Sequence, residues 1–112
     1  MVVIGVLEGF DENGQPNIRP SKCDITLRQL LTHTPGFGYN DFNPDIQKVH
    51  DVLGIPGVLD CKNRTLTVPL VFDPGERWEY GINIDWVGKM VEAESGKRFG
   101  DYFRQNIFAP LV

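Results

Sequence analysis

No cluster of Lys and Arg occurs in this 112-residue chain, whose 11 basic and 15 acidic residues leave a net charge of −4 spread along its length. A nucleic-acid binder needs a basic stripe to meet the phosphates, so that class is excluded. No apolar run approaches the ~18 residues that a membrane-spanning helix requires, and no membrane partner is expected. The apolar opening from Met1 to Leu7 has no basic residues before it and no small-residue cleavage site, and Glu8 and Asp11 follow at once. It is not read as a signal peptide, so a soluble, cytoplasmic protein is expected. Two cysteines, Cys23 and Cys61, form neither a C-x-x-C redox pair nor a metal-ligand set, and are read as free structural thiols. The carboxylates Asp41, Asp45, Asp73, Glu76, Glu79 and Asp85 have turn or helix-start positions rather than metal-ligand spacing, so no metal or cofactor is expected. Asn63-Arg64-Thr65 fits a glycosylation acceptor in form only, since no secretion signal accompanies it.

What is present suits one modest core, with 41% hydrophobic residues and no internal repeat. Leu7 to Phe10 and Pro16 to Pro20 flank Asp11-Glu12-Asn13-Gly14, a turn signal that predicts a hairpin. Thr26 and Gln29 form a capping-box pair, and Leu27, Leu30 and Leu31 share a face, which predicts a helix from about Leu27 to His33. Pro35 disfavours helical backbone at Thr34 and ends it. After an aromatic-bearing loop, Gly36 to Phe42, Asn43-Pro44-Asp45 opens a second helix carrying Ile46, Val49 and Leu53. Gly54 to Arg64 reads as loop, and Thr65 to Phe72 as an extended segment that Pro69 restricts to an edge. Asp73-Pro74-Gly75 is a turn. A third helix is expected with Asn83 as its cap, Ile84, Val87, Met90 and Val91 as its buried stripe, and Gly96 as its stop. A last helix is expected from about Gly100 to Asn106, bearing Tyr102, Phe103 and Ile107 and stopped by Pro110.

Taken without family knowledge, the nucleophile candidates are weak. Ser21 lies in a loop, and Ser95 before Gly96 reads as helix punctuation. His33 reads as a helix-end or packing residue, His50 as equally unremarkable, and Tyr80 as core packing.

Two stretches change that reading: Ile25-Thr-Leu-Arg-Gln-Leu-Leu-Thr-His-Thr-Pro-Gly36, and Phe72-Asp-Pro-Gly-Glu-Arg-Trp-Glu-Tyr-Gly81 followed by Ile84-Asp-Trp86. With Val6 to Phe10 and Tyr102 to Leu111 in the same order, they resemble the β-lactamase and penicillin-binding-protein superfamily of serine hydrolases and acyltransferases, in its fungal acyltransferase and esterase branch. The resemblance implies an acyl-accepting serine in a Ser-x-x-Lys motif and a proton-transferring tyrosine, and Tyr80 matches that tyrosine. A free phenol titrates near pH ~10, so such a tyrosine needs neighbouring positive charge, which the motif's lysine supplies. This sequence departs from the pattern. Asp24 and Arg98, not lysines, stand three residues after Ser21 and Ser95, and no Lys-Thr-Gly or His-x-Gly strand motif occurs. Many relatives carry Asn two residues after the tyrosine; here Ile82 holds that place and Asn83 follows.

The resemblance therefore implies an α+β fold: the mainly helical middle segment of the β-lactamase/transpeptidase-like fold, with the catalytic antiparallel sheet largely missing. Residues 1–112 are expected to form a partial domain of a serine-dependent acyl-transfer enzyme, inactive alone, whose full form takes a small-molecule ester, thioester or amide. The rival expectation is a non-catalytic relative that binds a partner, or itself, through an uncovered apolar face. A third is a small enzyme using His33 with Cys23 or a carboxylate, against which the absence of a cysteine-nucleophile signature counts.

Overall fold

The computed structural model describes residues 4–112, and the start of the apolar opening, residues 1–3, lies outside them. Strands β1 (Gly5–Phe10) and β2 (Pro16–Pro20) pair antiparallel as the hairpin expected, with a bulge between Leu7 and Gly9. The turn is pinned by Asp11, whose Oδ1 accepts from the backbone N–H groups of Asn13 and Gln15 at 2.8 and 2.9 Å. These two strands are the sheet among the described residues. Segment Val68–Phe72 runs beside β1: Leu7 N–H donates to Leu70 O at 2.7 Å, and Leu70 N–H donates to Gly5 O at 2.8 Å. The extended segment is thus shorter than expected, because Asn63–Thr67 winds into a 3₁₀ turn before it. A shorter 3₁₀ turn, Val58–Asp60, occupies the region read as loop.

Helix α1 spans Leu27–Thr32 and opens on the predicted capping box, Thr26 Oγ1 accepting from Gln29 N–H while Gln29 Oε1 accepts from Thr26 N–H. Helix α2, Pro44–Leu53, is capped by Asn43 Oδ1 and closed by Gly54 in the left-handed region. Its inward residues are Ile46, Val49 and His50, with Leu53 exposed. Helix α3 spans Asn83–Ser95 and closes on Gly96, as expected, but Ile82 rather than Asn83 holds the capping position. Asn83 is its first helical residue and is fully buried. The expected buried stripe of α3 is open instead: Ile84 and Met90 are exposed, and Val87 and Val91 only partly covered. Helix α4, Phe99–Phe103, continues through a wider π turn at Arg104–Phe108 to a last turn at Ala109–Leu111. It therefore runs past the expected stop, with Pro110 inside the final turn.

One core joins these elements: Val6, Leu7, Leu30, Phe37, Val49, Ile55, Val68, Leu70 and Ile82 pack together, flanked by Trp86 stacked on Phe37 at 6.0 Å. The hairpin is tied to the turn at 73–75 by charge. Asp73 is buried and accepts from both terminal guanidinium nitrogens of Arg19, at 3.0 and 2.6 Å, and from the Lys22 N–H at 3.0 Å. These contacts, the Arg19 hydrogen bonds foremost, hold the Asp73 carboxyl far below the usual carboxylate range. Among the described residues no helix is long and apolar enough to cross a membrane.

Candidate functional site

The loop bearing Tyr80 is laid against the end of α1 by backbone pairing. Val71 N–H donates to Gly36 O, Gly75 N–H to Thr34 O and Glu79 N–H to His33 O, all at 2.8 or 2.9 Å. Two glycines permit this approach. A Cβ on Gly81 would sit 2.3 Å from Phe37 O, and one on Gly36, at φ +109°, would sit 2.5 Å from Phe72 O. The two sequence stretches that carry the family resemblance are therefore one structural unit, joined strand-like along their backbones.

Tyr80 emerges at its edge with 46% of its surface exposed. Its ring lies 5.0 Å from Tyr39, 5.3 Å from His33, 5.8 Å from Phe42 and 6.3 Å from Trp78, the last nearly parallel to it. Tyr39 lies deeper, and burial, reinforced by the negative Asp85, pushes its phenol above the ordinary value. Beneath Tyr80, Asn83 Nδ2 donates to His33 Nδ1 at 2.7 Å and, more weakly, to Glu79 O at 3.4 Å. Glu79 Oε1 in turn accepts from Asn43 Nδ2 at 2.8 Å, fastening the start of α2 to the same loop.

The remaining candidates stand elsewhere. Ser21 Oγ donates to Cys23 O and Ser95 Oγ to Val91 O, each at 2.7 Å, so both hydroxyl protons are committed to backbone. Cys23 and Cys61 are exposed and unlinked. His50 is buried with Nδ1 3.0 Å from Ile55 O, a core role. His33, Tyr80 and Asn83 thus come together, while Cys23 and the serines do not join them. Sequence reading missed the role of Asn83 as a partner for His33, because its position before a helical stripe signals a cap; it also left Tyr39 and Phe42 as loop aromatics. Among the described residues no group of three or more His, Cys, Asp or Glu could hold a metal ion.

The hairpin, the helical layer and the tyrosine loop define a helix-rich α+β segment of the β-lactamase-like fold. It superposes on the unliganded simvastatin synthase of Aspergillus terreus with a TM-score of 0.84 at 39% identity, over 98% of this chain and 28% of that one. A family model described as Beta-lactamase matches residues 16–112, and the chain belongs to that family. Among curated proteins it is 43% identical over 108 residues to the acyltransferase mokF of Monascus pilosus, and 42% identical to the monacolin J acid methylbutanoyltransferase of Aspergillus terreus. A lovastatin esterase of Penicillium rubens is 35% identical. In the first two cases the alignment takes 95% of this chain and 26% of the relative, so the chain spans about a quarter of their length.

Proposed function

We propose that this chain is a segment of a serine-dependent acyl-transfer enzyme acting on a small-molecule ester, thioester or amide, with Tyr80 as its proton-transfer residue. The observation that carries the reading is the state of Tyr80. Its ring is fixed on four sides by aromatic neighbours, yet its hydroxyl has no hydrogen-bond partner among the described residues and the residue is exposed. A tyrosine kept for packing buries its ring and gives its hydroxyl a partner; one kept for proton transfer needs a rigid ring and an uncommitted oxygen. The likeness to acyltransferases and an esterase supports the reaction class. Neither serine of this chain has a lysine three residues on, so the acyl-accepting Ser-x-x-Lys has to come from outside residues 1–112.

The test grafts residues 4–112 into a full-length relative that supplies Ser-x-x-Lys, and compares Tyr80→Phe with the parent graft. Turnover of an activated ester is expected to fall roughly 10²- to 10⁴-fold with the melting midpoint nearly unchanged. A folded Tyr80→Phe enzyme keeping more than about half the parent rate would remove Tyr80 from the chemistry.

A further inference from the structure

A helix that ends in this way ordinarily carries glycine where this chain carries His33. Thr34 N–H donates to Gln29 O and His33 N–H to Leu30 O, the paired bonds of a Schellman ending, with His33 itself left-handed at φ 56°. That backbone is strained for a residue with a Cβ. The histidine thus occupies its place at a cost to stability, and its ring, not its backbone, has to account for it.

The ring is held by a bond whose direction can be assigned. Asn83 is fully buried, and its amide nitrogen faces two groups, the Glu79 carbonyl and His33 Nδ1. A carbonyl only accepts, so the NH₂ end must face it; turning the amide over would set Oδ1 against Glu79 O. With one amide proton on Glu79 O and the other on His33, His33 Nδ1 is an acceptor, and the imidazole proton resides on Nε2. The other histidine has the reverse assignment, since His50 Nδ1 faces the Ile55 carbonyl and must donate to it. Among the described residues Asn83 Oδ1 has no hydrogen-bond partner, so the polar contacts of this amide are made through its nitrogen.

We infer that His33 is a positioning residue for Tyr80, locked by Asn83 in the Nε2–H form so that its ring fixes one side of the tyrosine. The ring sits 5.3 Å from Tyr80 at a tilt of 56° and 6.2 Å from Trp78 in an edge-on arrangement. Tyr39 at 5.0 Å and Phe42 at 5.8 Å flank the Tyr80 ring as well, and His33 is the neighbour that packs against both Tyr80 and Trp78. The inference rests on the reading of Tyr80 as the proton-transfer residue, and its tests separate the two.

The first test is made on this chain, with its ring nitrogens labelled by ¹⁵N and observed through their ring protons. His33 is expected as Nε2–H and His50 as Nδ1–H, with a His50→Gln variant assigning the signals. A His33 found as Nδ1–H, or averaging between the two forms, overturns the inference. The second is made in the grafted enzyme with His33→Asn. Asparagine tolerates the left-handed backbone and places Oδ1 where Nδ1 was, so the bond from Asn83 and the fold are kept while the outer half of the ring is lost. The turnover number is expected to fall roughly 10- to 100-fold with KM and the melting midpoint close to the parent. Added to Tyr80→Phe, the same change is expected to cost little more, because His33 acts through the hydroxyl already removed. Unchanged turnover in His33→Asn, a loss that tracks the melting midpoint, or a full second penalty on top of Tyr80→Phe overturns the positioning role. Full activity in Tyr80→Phe overturns the site reading and the positioning role with it, while the tautomer result stands as a property of the fold.

Discussion

Asp73 and Tyr80 stand seven positions apart in one segment, Phe72 to Gly81, and the fold treats them in opposite ways. Asp73 is buried, and its oxygens are engaged by Arg19 and Lys22. Tyr80 is exposed, and its oxygen is bound to nothing among the described residues. The first holds the hairpin to the loop; the second is held out by that loop. Within one segment the charged residue is thus saturated by its neighbours while the aromatic one is left uncommitted, a difference that residue type alone does not show.

The largest expected effect that would break this contrast is the loss of turnover in Tyr80→Phe described above, which has no counterpart at Asp73 beyond the effect of unfolding. Gly81→Ala comes next, because the new Cβ meets backbone, Phe37 O at 2.3 Å and Gly38 Cα at 2.8 Å, and backbone yields less than a side chain. A destabilisation of about 1–3 kcal/mol is expected, read as a shifted denaturant midpoint in the isolated chain. An unchanged midpoint would show that the two motif stretches are not pressed together as described.

Asp73 predicts a pH dependence of defined sign. Its folded carboxyl titrates below the value near ~3.9 of an unfolded aspartate, so its stabilising effect is complete above that value and is lost as pH falls below it. Glu92, lowered by Lys89 and the Phe99 N–H, adds loss in the same window. Melting midpoints measured from pH 6 down to about pH 2 are expected to fall steeply below about pH 4, and Asp73→Asn to start lower and fall less. Equal slopes for the two proteins would show that the ion cluster is not what the acid removes.

Smaller effects are expected where the surface is merely open. Leu27, Leu31, Val87, Met90 and Tyr102 line a groove of about 430 Å³ between α1 and α3. In this chain, Leu31→Lys is expected to leave the unfolding free energy within about 0.5 kcal/mol of the parent while reducing any concentration-dependent association seen by sedimentation. The smallest effect is expected at the serines. A phosphonylating probe is expected to add no mass to the isolated chain, since Ser21 and Ser95 both donate to backbone carbonyls and neither has a base beside it. A stoichiometric adduct on either would refute the assignment of the nucleophile to a segment outside these residues.

Much of the local architecture was legible in the residues. The Asn-Gly hairpin turn, the Thr26–Gln29 capping box, the Asn43-Pro44 helix start and the stops at Gly54 and Gly96 all rest on bonds between near neighbours in the chain, and all appear where expected. Periodicity erred where burial depends on distant partners. The stripe of α3 was read as core because apolar spacing alone signals an inward face, but only neighbouring elements decide whether that face is covered. Likewise the alternation after Thr65 suggested a strand, whereas Thr65 is buried with its hydroxyl donating to Pro56 O at 2.9 Å, within a 3₁₀ turn.

The α+β class was legible, and so was the motif that contains Tyr80. The surroundings of Tyr80 were not. That His33 and Asn83, fifty residues apart, share a 2.7 Å bond beneath it follows from the backbone pairing of residues 33–36 with 71–79, which no local pattern encodes. The sequence by itself determined the turns, caps and helix ends, because these are satisfied by groups within a few residues of one another. Only the tertiary structure decided which polar atoms were paired and which left free, because that depends on close approaches between segments far apart in the chain, such as the contact Gly81 permits at Phe37.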